Sequence, residues 1–236
     1  MIRGFDTLNR NIDILQKRQE NISANMANVN TNGYLDKELF QSTLKSVGLH
    51  NYQAGANANQ RHNIGQFIFG NQIDGSYINM AAGPLKETDQ TNDFATNGTG
   101  FFTVRMANGQ LGYTRNGQFT VNDNNQYVTQ DGYQVLNQNN QPVQATKQVP
   151  KFKIVNLANP TTLTSQGNTY YTSTTAPTTI NNAQITRGFV MQSNVSVADE
   201  MVALMQTGRE YEANQKVLSA TNETVNKAVN QLGTVQ

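Results

Sequence analysis

Few residues in this chain have the types and spacing that chemistry needs. Histidine occurs twice, at His50 and His62, in a polar stretch with no carboxylate at ligand spacing, which is the pattern of surface imidazoles. Cysteine is absent, which removes disulfides, thiolate nucleophiles and the common zinc frameworks. Asp89 and Asp93 could form a carboxylate pair for acid–base work, but acids this close on one loop more often cap turns and meet solvent. Asn122 to Asn125 resembles half a calcium loop and lacks its glycine and distal bidentate glutamate. Gly98-x-Gly100 runs into Phe101–Phe102 and not into a helix, so it reads as a strand-entry turn and not a phosphate cradle. No Gly-x-Ser-x-Gly elbow exists. The expectation is a chain with no catalytic residues, no cofactor and no metal.

The elements that could position such residues are thin in charge. Lys+Arg is 17 against 16 Asp+Glu, a formal net charge of +1, so nothing is left over to neutralise a phosphate backbone and nucleic acid is not an expected partner. Charged residues make up 14% of the 236, and amides take their place, with 33 Asn and 24 Gln. That length suits one large domain or two modest ones. No apolar run reaches the roughly 18 residues of a membrane span. Charges run through the opening 30 residues, which are not expected to act as a cleaved secretory signal.

Both ends carry a helical seam. Phe5, Leu8, Ile12, Leu15, Gln19, Ile22, Met26 and Val29 step by three and four, an a/d stripe that ends at Asn30-Thr31-Asn32-Gly33. The second stripe runs Val197, Met201, Leu204, Gly208, Tyr211, Gln215, Leu218, Asn222, Val225, Val229 and Leu232, opened by a Ser196/Asp199 capping box. At 1.5 Å per residue the helices run about 35–40 Å and about 50 Å. The faces opposite the seams are read as amide-rich, with Asn9, Asn11, Asn21, Asn25, Asn28, Gln206, Asn214, Asn226 and Asn230. Neutral amides do not repel a neighbouring copy, so such a pair can pack on several sides. The plainer alternative is a two-helix hairpin covering its own chain.

Between about Ile64 and Phe189 the helical period disappears. Short apolar runs alternate with Asn108-Gly109, Asn116-Gly117, Asn122 to Asn125 and Asp131-Gly132, which predicts hairpins in an antiparallel meander or small sandwich. Lys151 to Leu157 reads as a further strand, and Thr161 to Asn182 as loop around a Tyr170–Tyr171 strand. The fold class is therefore α+β. Residues 1–34 and 194–236 form a helical core, 35–63 a linker or extended segment, and 64–193 a β-rich domain.

Five segments carry a resemblance. Ala24-Asn25-Met26-Ala27-Asn28-Val29-Asn30-Thr31-Asn32-Gly33-Tyr34 is similar to a signature of bacterial flagellar rod and hook proteins. So are Gly83 to Thr88 with Asp93 to Phe102, Gly112 to Phe119, Val128 to Tyr133, and Gln192-Ser193-Asn194-Val195 onward to Asn214, in the family's order. Asn32 stands where the family commonly has proline, Phe94 and Thr96 replace its usual leucine and isoleucine, and the stretch from Gln141 to Lys151 is shorter than in many relatives. The resemblance implies terminal helices paired as an antiparallel coiled coil, lining the tube of a hollow filament that serves as the drive shaft between motor and hook, with β structure outside. It implies a structural rod subunit of the flagellar basal body whose partners are copies of itself, neighbouring rod and hook subunits and the type III export apparatus. It places the protein in the periplasm or cell-wall zone without a cleaved signal. A hook or other axial paralogue remains open at this point, as does a secreted module that binds cell wall or carbohydrate.

Overall fold

The computed structural model describes residues 2–44, 46–52, 61–67, 70–146, 148–167 and 169–233. They form two compact units: Met1–Ile22 with Leu39–Gly75 and Met201–Gln236, and Ser23–Glu38 with Ser76–Glu200.

The first unit is built on most of helix α1 (Ile2–Ala27) and of helix α2 (Val197–Gly233), while the last turn of α1 and the first turn of α2 belong to the second. The Ser196 hydroxyl caps α2 by accepting from the Asp199 N–H at 3.4 Å, and Asp199 and Glu200 bring negative charge to its first turn. Asn11 Nδ2 donates to Asn214 Oδ1 at 3.1 Å, and Arg18 bonds Glu210 at 3.1 Å. Numbers rise along one helix as they fall along the other, so the two run antiparallel at these bonds.

On α2 the less exposed stripe differs by one residue, at every second position, from the all-apolar seam of the sequence. It is Leu204, Thr207, Tyr211, Asn214, Leu218, Thr221, Val225 and Ala228; on α1, Ile14, Leu15 and Ile22 are buried and Phe5, Leu8, Asn11, Ile12 and Arg18 half-buried. Apolar and polar residues alternate along the α2 stripe from Leu204 to Val225. Asn11 and Asn214 are not part of the outer amide face, because each finds its hydrogen-bond partner on the other helix.

The segment 35–63 is not a plain linker. It carries β1 (Lys37–Thr43), β2 (Val47–Tyr52) and the start of β3 (Arg61–Phe67), followed by β4 (Asn71–Ile78). β2 and β3 form an antiparallel ladder from Val47↔Phe67 to Tyr52↔Arg61, with an irregularity between Leu49 and His50. β1 pairs with β4. These strands bury little, so composition hid them; main-chain pairing and period-2 geometry are what they have in common. The glycine- and alanine-rich stretch 53–60 lies outside the described residues.

The second unit is an antiparallel sheet centred on Phe101–Arg105. That strand pairs with Leu111–Thr114 on one side and, end to end, with Gln134–Val135 and Ile154–Asn156 on the other. Successive side chains point to opposite faces, and three adjacent pairs use this fully. Phe102, Ile154 and Tyr170 join one core with Phe94, Phe119, Tyr127 and Phe152. Phe101, Val155 and Tyr171 join another with Leu35, Ile78 and Tyr113. A sheet covered on both faces explains its continuous apolar runs.

Asn108-Gly109, Asn122 to Asn125 and Asp131-Gly132 turn between paired strands, with Gly109, Asn125 and Gly132 at positive φ. Asn116-Gly117 does not make a hairpin. The strand after it, Phe119–Val121, pairs onward with Tyr127–Thr129 and not back with Leu111–Thr114. Gly117 is there for space, since a Cβ would sit 1.6 Å from the Phe94 carbonyl oxygen. The Thr161 to Asn182 stretch holds more order than a loop, with strands Leu163–Ser165, Tyr170–Ser173 and Thr178–Thr179.

Candidate assembly junction

The residues of the first and last sequence signatures meet in the second unit, around one buried amide. Asn25 is 2% exposed. Its Nδ2 lies 2.6 Å from Asp36 Oδ1, 2.8 Å from Glu200 Oε1 and 3.0 Å from the Lys37 carbonyl. Its Oδ1 accepts from the Tyr34 hydroxyl at 3.0 Å and the Lys37 N–H at 3.2 Å. An amide nitrogen carries two protons, so three acceptors must share them. One asparagine thereby ties the end of α1 to β1 and to the start of α2.

Asn194 makes the second tie. Its Oδ1 accepts from the Asp36 N–H at 2.7 Å, and its Nδ2 donates to the carbonyls of Asn79 (2.9 Å) and Ala81 (3.1 Å). Ser193 is buried and its hydroxyl accepts from the Val195 N–H, which fixes the approach to α2. Ala81 also receives the Arg115 guanidinium. Arg115 is fully buried and donates to Ala81 O (2.8 Å), Met80 O (2.7 Å) and Thr99 O (3.1 Å), with its Cζ 4.5 Å above the Phe101 ring centre.

Gly33 closes the junction. Its φ is +74°, its N–H donates to the Met191 carbonyl at 2.8 Å, and a Cβ there would lie 2.2 Å from the Asn116 nitrogen. Only glycine combines that torsion with that approach. The end of α1 is held by Asn28, whose Nδ2 donates to the Ala24 carbonyl and whose Oδ1 accepts from the Thr31 hydroxyl. Ala24 and Ala27 face solvent.

Burial and crowding set the electrostatics. Desolvation, and then the charges of Glu200 and Glu38, push the Asp36 carboxyl up to about 6. Glu200 is also raised, chiefly by burial. Burial, then Asp36 and Glu200, takes the Tyr34 phenol to about 12, so it remains a donor. Burial lowers Arg115 to about 10, which leaves it charged at neutral pH.

Along the predicted seams, Leu15 and Ile22 are buried, while Phe5, Leu8, Ile12, Met26 and Val29 are half-buried. Leu204, Tyr211, Leu218 and Val225 are half-buried on α2. Val197, Met201 and Val229 are exposed, at 38%, 49% and 63%. Leu232 lies in the last turn of α2. The polar residues that join the elements, Asp36, Glu200, Arg115 and Asn79, carry no periodic signal. Asn11 and Asn25 stand fourteen residues apart, two heptads on one helix.

His50 lies in β2. Among the described residues no three of His, Cys, Asp and Glu converge on a metal position, and no helix is long and apolar enough to cross a membrane.

The comparisons with known proteins agree with one another. The "Flagellar hook protein FlgE/F/G D1 domain" family matches residues 95–192. The "Flagellar basal body rod FlgEFG protein C-terminal" family matches residues 186–232. Over 92% of this chain and 94% of its own length, the flagellar basal-body rod protein FlgG of Buchnera aphidicola subsp. Acyrthosiphon pisum is 28% identical. The rod protein FlgF of Caulobacter vibrioides is 29% identical over 97% of this chain and 94% of its length. These relatives match 92% and 97% of the chain, and the two family models together run from residue 95 to residue 232, so the chain is similar to flagellar basal-body rod and hook proteins.

Proposed function

We propose that the chain is a structural, non-enzymatic subunit of the bacterial flagellar basal-body rod. The observation that carries this reading is the Asn25 junction. It binds the first family signature to the last across 175 positions of sequence, which is what a subunit needs if its two ends are to act as one piece. α1 and α2 pair as an antiparallel coiled coil and pack against neighbouring copies, building a hollow helical shaft between motor and hook. The Asn11–Asn214 and Arg18–Glu210 bonds between the helices support that pairing. The exposed Val197, Met201, Val202, Met205 and Val229 of α2 remain for contacts with other subunits. The partners are copies of the chain, adjoining rod and hook subunits, and the export apparatus, which takes it without a cleaved signal to the periplasmic or cell-wall zone of the basal body.

Electron microscopy of envelopes from a strain lacking the gene, beside its complemented parent, tests this. Rods and hooks should vanish and return with complementation. Intact flagella in the deletion strain would overturn the assignment.

A further inference from the structure

The sequence contains four Asn–Gly pairs: Asn32–Gly33, Asn97–Gly98, Asn108–Gly109 and Asn116–Gly117. Such a pair has an intrinsic reactivity. The glycine nitrogen can attack the asparagine Cγ, because no Cβ stands in its way. The new N–Cγ bond closes a five-membered succinimide, the Cγ–Nδ2 bond breaks, and the proton given up by the glycine nitrogen leaves with the nitrogen as ammonia. Water then opens the ring at either carbonyl and gives an aspartyl or an isoaspartyl residue. The reaction requires a glycine N–H free of other bonds and a backbone able to swing toward Cγ.

Three of the pairs are held away from that geometry. The Gly33 N–H is committed to the Met191 carbonyl, and Gly33 lies against the Arg115–Asn116 backbone. Gly117 is wedged against the Phe94 carbonyl, while Asn116 Oδ1 is engaged by the Gln118 N–H at 3.0 Å. The Gly109 N–H donates to Met106 O at 2.9 Å, and both ends of the Asn108 amide are bound to Gln110, each at 3.0 Å. Asn97–Gly98 differs. Both residues are exposed in a bend, Gly98 has φ +110°, and the space where a Cβ would stand is open. Among the described residues nothing accepts from the Gly98 N–H and nothing bonds the Asn97 carboxamide.

We propose that Asn97 is a site of spontaneous succinimide-mediated deamidation, selected from four equivalent dipeptides by the fold alone. The change has a structural cost. Asn97 directly follows the buried strand Phe94–Thr96, and Gly100 beyond it lies where a Cβ would be 2.4 Å from Ile154. An isoaspartyl link adds a backbone atom between two fixed points and introduces a negative charge at that surface. The chemistry holds whether or not the chain assembles into a rod.

The test is peptide mapping by mass spectrometry of the purified full chain, incubated folded and in denaturant at mildly alkaline pH. In the folded chain, aspartyl and isoaspartyl products should accumulate at Asn97 at least about tenfold faster than at Asn32 or Asn116, a ratio worth about 1.4 kcal/mol of barrier. Asn108 should fall between. In denaturant the four rates should converge. Equal rates at Asn97 and Asn116 in the folded chain would overturn the proposal, and so would a preference for Asn97 that persists in denaturant. Gly98→Ala should slow the reaction at Asn97 in both states by crowding the attacking nitrogen; an unchanged rate in denaturant also counts against it.

Discussion

Asn25 shows how much one side chain can hold in this protein. Its amide serves two carboxylates, two backbone groups and a phenol. Asn25→Ala leaves those buried partners unmatched and should cost about 2–3 kcal/mol, read as a lower denaturation midpoint in urea. Asn25→Asp puts a third carboxylate beside Asp36 and Glu200. It should be at least as damaging at neutral pH and partly recover at pH about 5, as the crowded acids take up protons. Asp36 itself sets a pH dependence. Its folded pKa of about 6 lies above the unfolded value of 3.8, so the native state binds more protons between the two. Stability therefore falls as pH rises through that window, and the burden is fully present above about 6. Thermal midpoints should rise on going from neutral pH toward 5, and Asp36→Asn should flatten that slope. A midpoint that falls over this range in the parent chain sinks the argument. At this scale the sequence was legible only in part. The residues Asn25, Gly33 and Asn194 stand out by their resemblance to the family signature, yet nothing local shows that Asp36 and Glu200 share one amide, since a side-chain hydrogen bond across 175 positions leaves no period.

At the scale of elements, glycine positions separate by what surrounds them. Gly117→Ala places a Cβ 1.6 Å from the Phe94 oxygen and should abolish folding of the β unit. Gly109→Ala meets open space and carries only the torsional cost of φ +78°, about 1 kcal/mol. Circular dichroism and thermal scans of the two variants should differ in kind, and equal losses would refute the packing argument. The same contrast explains which strands the sequence revealed. Alternation and Asn-Gly or Asp-Gly turns marked the hairpins of Phe101–Arg105 and Tyr127–Thr129, because turn chemistry is local. Asn116-Gly117 has the same letters and a different role, since a close approach from a distant backbone is invisible along the chain. β1 to β3 escaped notice because their composition is that of a loop. The α2 seam was half visible: Leu204, Tyr211, Leu218 and Val225 are half-buried, whereas the intervening less exposed positions are Thr207, Asn214 and Thr221, one residue from the seam. Hydrophobicity alone gives no reason to turn Asn11, Arg18 or Asn214 toward a partner helix.

At the scale of the whole molecule, the assembly reading predicts a separation of folding from function. Leu218, half-buried on α2, lies far along the chain from the β unit. Leu218→Asp should abolish swimming while the purified chain keeps its β-sheet dichroism, and normal motility would refute a role for the α2 stripe in assembly. The order in which the chain is made adds a further consequence of the Asn25 junction. Its partners arrive at different times: Asn25, Gly33 and Asp36 are synthesised well before Met191, Asn194 and Glu200, which lie as many as 175 positions further along. Until the later residues are made, the early half of the junction has nothing to close upon. The nascent chain must wait with the junction open until Met191 to Glu200 emerge. Completion is then a single late event, and any truncation before Met191 leaves a molecule that has started to fold and has no way to finish.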